Sequence, residues 1–123
     1  MQWELNTDKP VYLQLVEQIQ AEIISGNYRP GDKLPSVRDL AAQATVNPNT
    51  MQRAMTELER DGLVYTNRTT GRFITSDEDL IKQLKKQYIT GIIQQFLDKM
   101  KQLGLELEEI ISYINIVSAN NKR

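Results

Sequence analysis

Apolar residues recur at helical spacing from the start of the chain. Tyr12, Leu15, Val16, Ile19 and Ile23 form one stripe of a helix that opens at Pro10 and stops at Gly26. Proline at a first helical position costs no hydrogen bond. "NYRPGDK" then interrupts the pattern as a loop, with Pro30-Gly31 as its turn. Ser36 and Asp39 make an S-x-x-D start, and Val37, Leu40, Ala41 and Ala44 give the following short helix an apolar side. Asn47 caps a further helix with Pro48 at its first position. Met51, Ala54, Met55 and Leu58 face inward there, and Gly62 ends it.

Two capped helices with so short a joint are forced to cross steeply, which is a helix-turn-helix. The apolar pattern then shortens to strand-like runs. "LVYT" (Leu63–Thr66) and "RFIT" (Arg72–Thr75) flank "NRTTG", and together they predict a hairpin, the wing of such a unit. Beyond it, Ser76 and Asp79 form another capping pair, and a long helix runs to about Leu103. Leu80, Ile81, Leu84, Tyr88, Ile92, Phe96, Met100 and Leu103 form its stripe, widened by Ile89, Ile93 and Leu97. Gly104 breaks this helix, and Ile110, Ile111, Ile114 and Val117 mark a shorter amphipathic one.

The fold class is therefore mainly α with a small β wing. Residues 1–75 are expected to form a winged helix-turn-helix domain and residues 76–123 a two-helix dimerisation segment. Two helices cannot bury so wide a stripe against each other, and segments of this size seldom hold a sufficient core. A second copy of the chain is the simplest cover. Leu84, Tyr88, Ile92, Phe96, Met100, Ile110 and Ile114 are the expected dimerisation residues.

Composition narrows the chemistry. At 123 residues the chain fits one small domain and an appendage. It has neither cysteine nor histidine, so disulfides, thiolate or imidazole nucleophiles and the usual zinc ligands are excluded. The acids are scattered along polar faces with no apolar setting to raise a pKa, so no enzyme, metal or cofactor is expected. No apolar run approaches a membrane span, and "MQWELNTDKP" lacks the regions of a secretory signal, making a cytoplasmic location the default.

A net charge of −1 speaks against a nucleic-acid partner, but the sum hides a local pattern. From Gly62 to Ser76 there is no acid, while Arg68 and Arg72 sit there. On the outer face of the second short helix, Asn49, Gln52, Arg53 and Thr56 fall at i, i+3, i+4 and i+7. Amides and guanidinium groups carry the donors and acceptors that match base edges in a major groove. The wing tip, Arg68, Thr69 and Thr70 with Arg72 beside it, supplies cations and small donors suited to phosphate. The plainer alternatives are a solvated helix face and an ordinary exposed hairpin.

The stretch "YRPGDKLPSVRDLAAQATVNPNTMQRAMTELERDGLVY", with its glycine-containing wing, resembles the winged helix-turn-helix domain of GntR-type bacterial transcription regulators. The resemblance runs from about Trp3 to Thr75. It implies DNA contacts for Arg38, Asn47, Asn49, Thr50 and Gln52, and a close backbone approach at Gly71. For Arg38 the alternative is a surface pair with Asp39. With the residue-level reading, the expected DNA-binding set is Ser36, Arg38, Asn47, Asn49, Thr50, Gln52, Arg53, Arg68, Gly71 and Arg72. Three positions depart from the family pattern: Thr45 stands where glycine is usual, Pro48 where arginine is frequent, and the wing reads Thr69-Thr70-Gly71-Arg72.

The short C-terminal part resembles the YtrA branch, whose members often repress ABC-transporter operons. The expectation is a homodimeric repressor on double-stranded DNA with an inverted-repeat operator. The sequence names no small-molecule effector, although Tyr88, Phe96 and Tyr113 could line a pocket. A winged-helix protein-interaction module without specific DNA binding is the competing reading.

Overall fold

The computed structural model describes residues 1–122. Its elements are α1 (Val11–Ile24), α2 (Val37–Ala44), α3 (Pro48–Arg60), β1 (Val64–Asn67), β2 (Gly71–Ile74), α4 (Glu78–Gln102) and α5 (Leu107–Asn121). They fall into two compact units, Met1–Lys85 and Lys86–Arg123.

In the first unit α3 packs on both α1 and α2, with the hairpin following directly. The expected stripes point inward. Leu15, Ile19, Leu40, Met51, Met55, Leu58, Leu63 and Ile74 are fully buried, and burying each such side chain contributes ~1.5–3 kcal/mol. Local chemistry starts the helices where the sequence signals them. Ser36 Oγ accepts from the Asp39 amide at 3.1 Å, and Asn47 Oδ1 accepts from the Asn49 amide at 2.8 Å. Between α2 and α3 the chain turns on Thr45, which adopts φ 59° and ψ 47°. It is the one non-glycine residue at positive φ among the described residues.

The hairpin pairs Val64 with Ile74, Tyr65 with Phe73, Thr66 with Arg72 and Asn67 with Gly71. Three residues, Arg68 to Thr70, make the loop. The segment before α2, expected as plain loop, also joins this sheet. The Gly31 amide donates to Ile74 O at 3.0 Å, the Ile74 amide to Asp32 O at 2.8 Å, and the Leu34 amide to Arg72 O at 2.9 Å. β2 is thereby held on both edges, which anchors the wing to the start of α2.

Two expectations about the C-terminal part change. The cap of α4 is Asp77, whose Oδ1 accepts from the Leu80 amide at 3.1 Å, and not Ser76. The Asp77 amide in turn donates to the Thr75 hydroxyl at 3.1 Å, so the end of the hairpin sets the helix start. The compact N-terminal unit continues to Lys85 instead of stopping at residue 75, because Leu80, Ile81 and Leu84 pack onto its core. Leu84, expected at a dimer face, thus serves the winged unit.

The second unit is a helical hairpin broken at Gly104, which takes φ 84°. Glu109 Oε1 accepts from the Glu106 amide at 3.1 Å and starts α5. Ile110, also expected at a dimer face, is already buried within this single hairpin. The other expected residues, Tyr88, Ile92, Phe96, Met100 and Ile114, are half-buried or exposed. Phe96, Met100, Leu105, Tyr113, Ile114 and Val117 line an open apolar groove along it.

Candidate nucleic-acid interface

The outer face of α3 stays in solvent because its inner face is spent on α1 and α2. Asn49, Gln52, Arg53 and Thr56 are all exposed, and Thr50 is half-buried beside them. Asn47 lies at the same end, but its side-chain oxygen is committed to the helix cap. Ser36 likewise caps α2 with its oxygen and keeps a hydroxyl hydrogen to donate. Arg38 projects from the first turn of α2. Among the described residues it enters no ion pair, so the alternative of pairing with Asp39 is not what its surroundings provide.

Two of the expected arginines are held by partners that the sequence did not suggest. The Arg53 guanidinium lies 3.8 Å from the centroid of the Tyr12 ring. Such a stack fixes the planar group while leaving its N–H donors free at the edge. Arg72 is not a free phosphate ligand. Its Nε donates to Glu59 Oε1 at 2.8 Å, and its Nη2 lies 3.4 Å from Gln52 Oε1. Burial pushes the Glu59 carboxyl up, but the hydrogen bonds from Thr66 and Arg72 and the guanidinium charge outweigh this. The net pKa lies below the ordinary carboxylate value.

The wing tip presents Arg68 in solvent. Asn67 Oδ1 accepts from both the Thr69 amide at 3.1 Å and the Thr69 hydroxyl at 3.0 Å, which folds the loop tightly. Gly71 has φ 112°, and a Cβ placed there would sit 3.2 Å from Lys33 Cε. The backbone conformation therefore calls for glycine, whereas the flexible end of Lys33 could shift by the few tenths of an ångström a Cβ needs. A cleft of 710 Å³ separates the start of α2 from the wing, lined by Lys33, Ser36, Asp39, Asn67, Arg68 and Gly71 among others. Lys33 is a cation that the residue-by-residue reading passed over. Its signal was its place in the "GDKLPS" run just before the cap.

Polar side chains on one helix, cations at a wing and a short flanking helix together form a surface that can meet a groove and its two phosphate edges. The sequence comparison agrees. The model of the bacterial regulatory proteins of the gntR family matches residues 11–74. The chain belongs to the GntR family. It is thus a DNA-binding transcriptional regulator and not an enzyme. Among relatives, it is 41% identical over 111 residues to the uncharacterized HTH-type transcriptional regulator YhcF of Bacillus subtilis, covering 90% of this chain and 92% of that one. It is 34% identical to the HTH-type transcriptional repressor YtrA of the same organism, over 99% of this chain and 95% of the relative.

A solved GntR-family regulator from Listeria monocytogenes superposes with a TM-score of 0.86 at 41% identity, covering 90% of this chain and 97% of that one. The DNA-binding domain of AraR, solved in complex with operator ORE1, matches at a TM-score of 0.53 and 30% identity. That match covers 61% of this GntR-family chain and 94% of the AraR domain. No described helix is long and apolar enough to cross a membrane.

Proposed function

We propose that this regulator is a cytoplasmic, homodimeric repressor that binds an inverted-repeat operator, with an ABC-transporter operon as its target. In this reading each α3 enters a major groove with Asn49, Thr50 and Gln52 toward base edges. Arg38, Arg53 and Arg68 neutralise adjoining phosphates, and Gly71 lets the wing backbone close on the duplex. Ser36 and Asn47 hold helix starts against the sugar-phosphate chain. Full-length similarity to the repressor YtrA supports repression, and the AraR domain on its operator supports the use of the winged unit.

The observation that carries the dimer is the unfilled apolar surface of the C-terminal hairpin. Ile92, Ile93, Tyr113, Ile116 and Val117 are each at least half exposed, and contiguous apolar surface of this kind marks an interaction face. A second hairpin of the same sequence supplies matching apolar surface, and its two-fold symmetry gives two identical α3 faces. Half-site centres then lie ~10 base pairs or a multiple apart.

The deciding experiment is selection of bound sequences from a random DNA pool, with sedimentation of the free protein and its complex. An inverted repeat bound by a dimer is the expected outcome. A monomer protecting a single, non-repeated site would overturn the dimeric reading. Binding should also weaken steeply with added salt, because phosphate neutralisation releases counterions. A salt-insensitive association would favour a protein-interaction role for the winged unit.

A further inference from the structure

A carboxylate sits at the junction of recognition helix and wing. Glu59 Oε1 accepts from Arg72 Nε at 2.8 Å and from the Thr66 hydroxyl at 2.6 Å. Arg72, held through Nε, keeps Nη2 3.4 Å from Gln52 Oε1. At the other end of that amide, Gln52 Nε2 lies 3.4 Å from Thr56 Oγ1. The Thr56 hydroxyl spends its own hydrogen on Gln52 O at 3.0 Å. The two 3.4 Å contacts are long and weaker than those to Glu59, but their directions are forced.

Arginine can only donate, so the Gln52 atom facing it is the carbonyl oxygen. The Thr56 oxygen has given its hydrogen away, so the Gln52 atom facing it is the amide nitrogen. What remains turned outward is a spare N–H on Gln52 and the unused N–H groups of Arg72. Bidentate reading of adenine needs a glutamine oxygen to accept from N6 while its nitrogen donates to N7. Arg72 competes for that oxygen. Guanine asks only for donors, at N7 and O6.

We propose that Glu59 is a positioning residue that holds Arg72 and Gln52 as one donor-only reading unit, which selects guanine at one position of each half-site. This rests on the DNA-binding reading above. Like any carboxylate whose pKa is not raised, Glu59 is charged at neutral pH, so the hold on Arg72 persists there. A phosphate oxygen also accepts hydrogen bonds, and the test separates it from a base edge.

Full-length wild type and the variants Gln52→Ala, Glu59→Gln and Arg72→Lys would each be run through sequence selection. Anisotropy titrations would follow on the selected operator and on a copy with the guanine pair exchanged for adenine. Circular dichroism melts would accompany them. The position that loses its preference in Gln52→Ala should be guanine in the wild type. In Glu59→Gln and Arg72→Lys the guanine-over-adenine affinity ratio should fall by about tenfold, the scale of one base contact.

Adenine at that position would overturn the proposal. So would equal losses on both DNAs with the ratio unchanged, which is what merely tethering the wing predicts. No base preference lost in Gln52→Ala, with wild-type affinity and salt dependence kept in Arg72→Lys, would overturn it in favour of a phosphate target, which needs only the charge that lysine retains. Should Glu59→Gln melt early, Arg72→Lys alone decides, since it keeps the wing charge and removes only the planar fork. A wild type that binds no DNA would instead bring down the reading on which the proposal rests.

Discussion

Leu58 and Ile92 are both large aliphatic residues in the body of an amphipathic helix, yet Leu58 is fully buried and Ile92 is 55% exposed. The helix that carries Leu58 meets α1, α2 and β1, so every side of its apolar stripe finds a wall. The hairpin that carries Ile92 has only one other helix to offer. α4 and α5 come close to each other at very few positions, so most of both apolar stripes stays wet. Of the large apolar residues there, Ile110 alone is fully buried. Similar residue types in similar patterns thus give a self-sufficient core in one region and an apolar face left in water in the other.

The comparison breaks most sharply if the face is charged. Ile92→Glu with Phe96→Glu should dissociate the proposed dimer, because an unpaired charge inside an apolar contact costs several kcal/mol. Operator affinity should collapse while the melt of the winged unit stays. Sedimentation and footprinting would check both halves, and a double variant that remains dimeric would place the interface elsewhere.

Truncation sharpens the contrast next. Leu58→Ala should cost ~2–5 kcal/mol of stability whatever the protein concentration. Ile92→Ala should instead shift a melt whose midpoint depends on concentration, as mass action demands of an interface. Denaturant titrations at several concentrations distinguish the two.

Smaller effects stay within the winged unit. Arg38→Ala should weaken operator binding by roughly 1.5–3 kcal/mol, the worth of a hydrogen bond to a charged group, with the core undisturbed. Wild-type affinity in an anisotropy titration would remove Arg38 from the interface. Thr45→Gly should raise stability by ~1 kcal/mol, since a β-branched residue is strained at φ 59° and glycine is not. No gain on thermal melting would mean that the Thr45 side chain earns its place by contacts.

The smallest effect concerns acid. The three ion pairs among the described residues all lie in the first unit. Glu59 titrates below its ordinary value in the folded state, so its contribution is complete above the usual carboxylate range. It is lost as pH falls through the depressed folded value. Glu59→Gln should flatten that part of the acid limb in a pH series of melts.

Much of this was legible beforehand because it is local. Caps at Ser36 and Asn47, glycine stops and the apolar stripes are all written within a few residues of where they act. The wing was displaced by a single residue at each end. What escaped notice depends on partners distant in sequence. Nothing near Gly31–Leu34 announces that this segment pairs with β2, some 38 to 43 residues further on. Arg53 gives no hint of Tyr12, nor Arg72 of Glu59, so both arginines read as free cations. Ser76 and Asp77 are adjacent capping residues, and the contest was decided by Thr75 holding the Asp77 amide. Ile110 read as a dimer-face position because a stripe does not reveal which of its members is buried within its own chain.

The wing loop has one further consequence. Arg68, Thr69 and Thr70 are already folded by the two hydrogen bonds that Asn67 Oδ1 accepts. Ordering a free backbone costs about 1–2 kcal/mol per residue at room temperature. A long, floppy wing would surrender that entropy each time it settled on a duplex. This one has given it up during folding, so association should show a small entropic penalty for so mobile-looking an element. Calorimetry of Asn67→Ala would reveal the difference as a less favourable entropy of binding with the same charged groups in play.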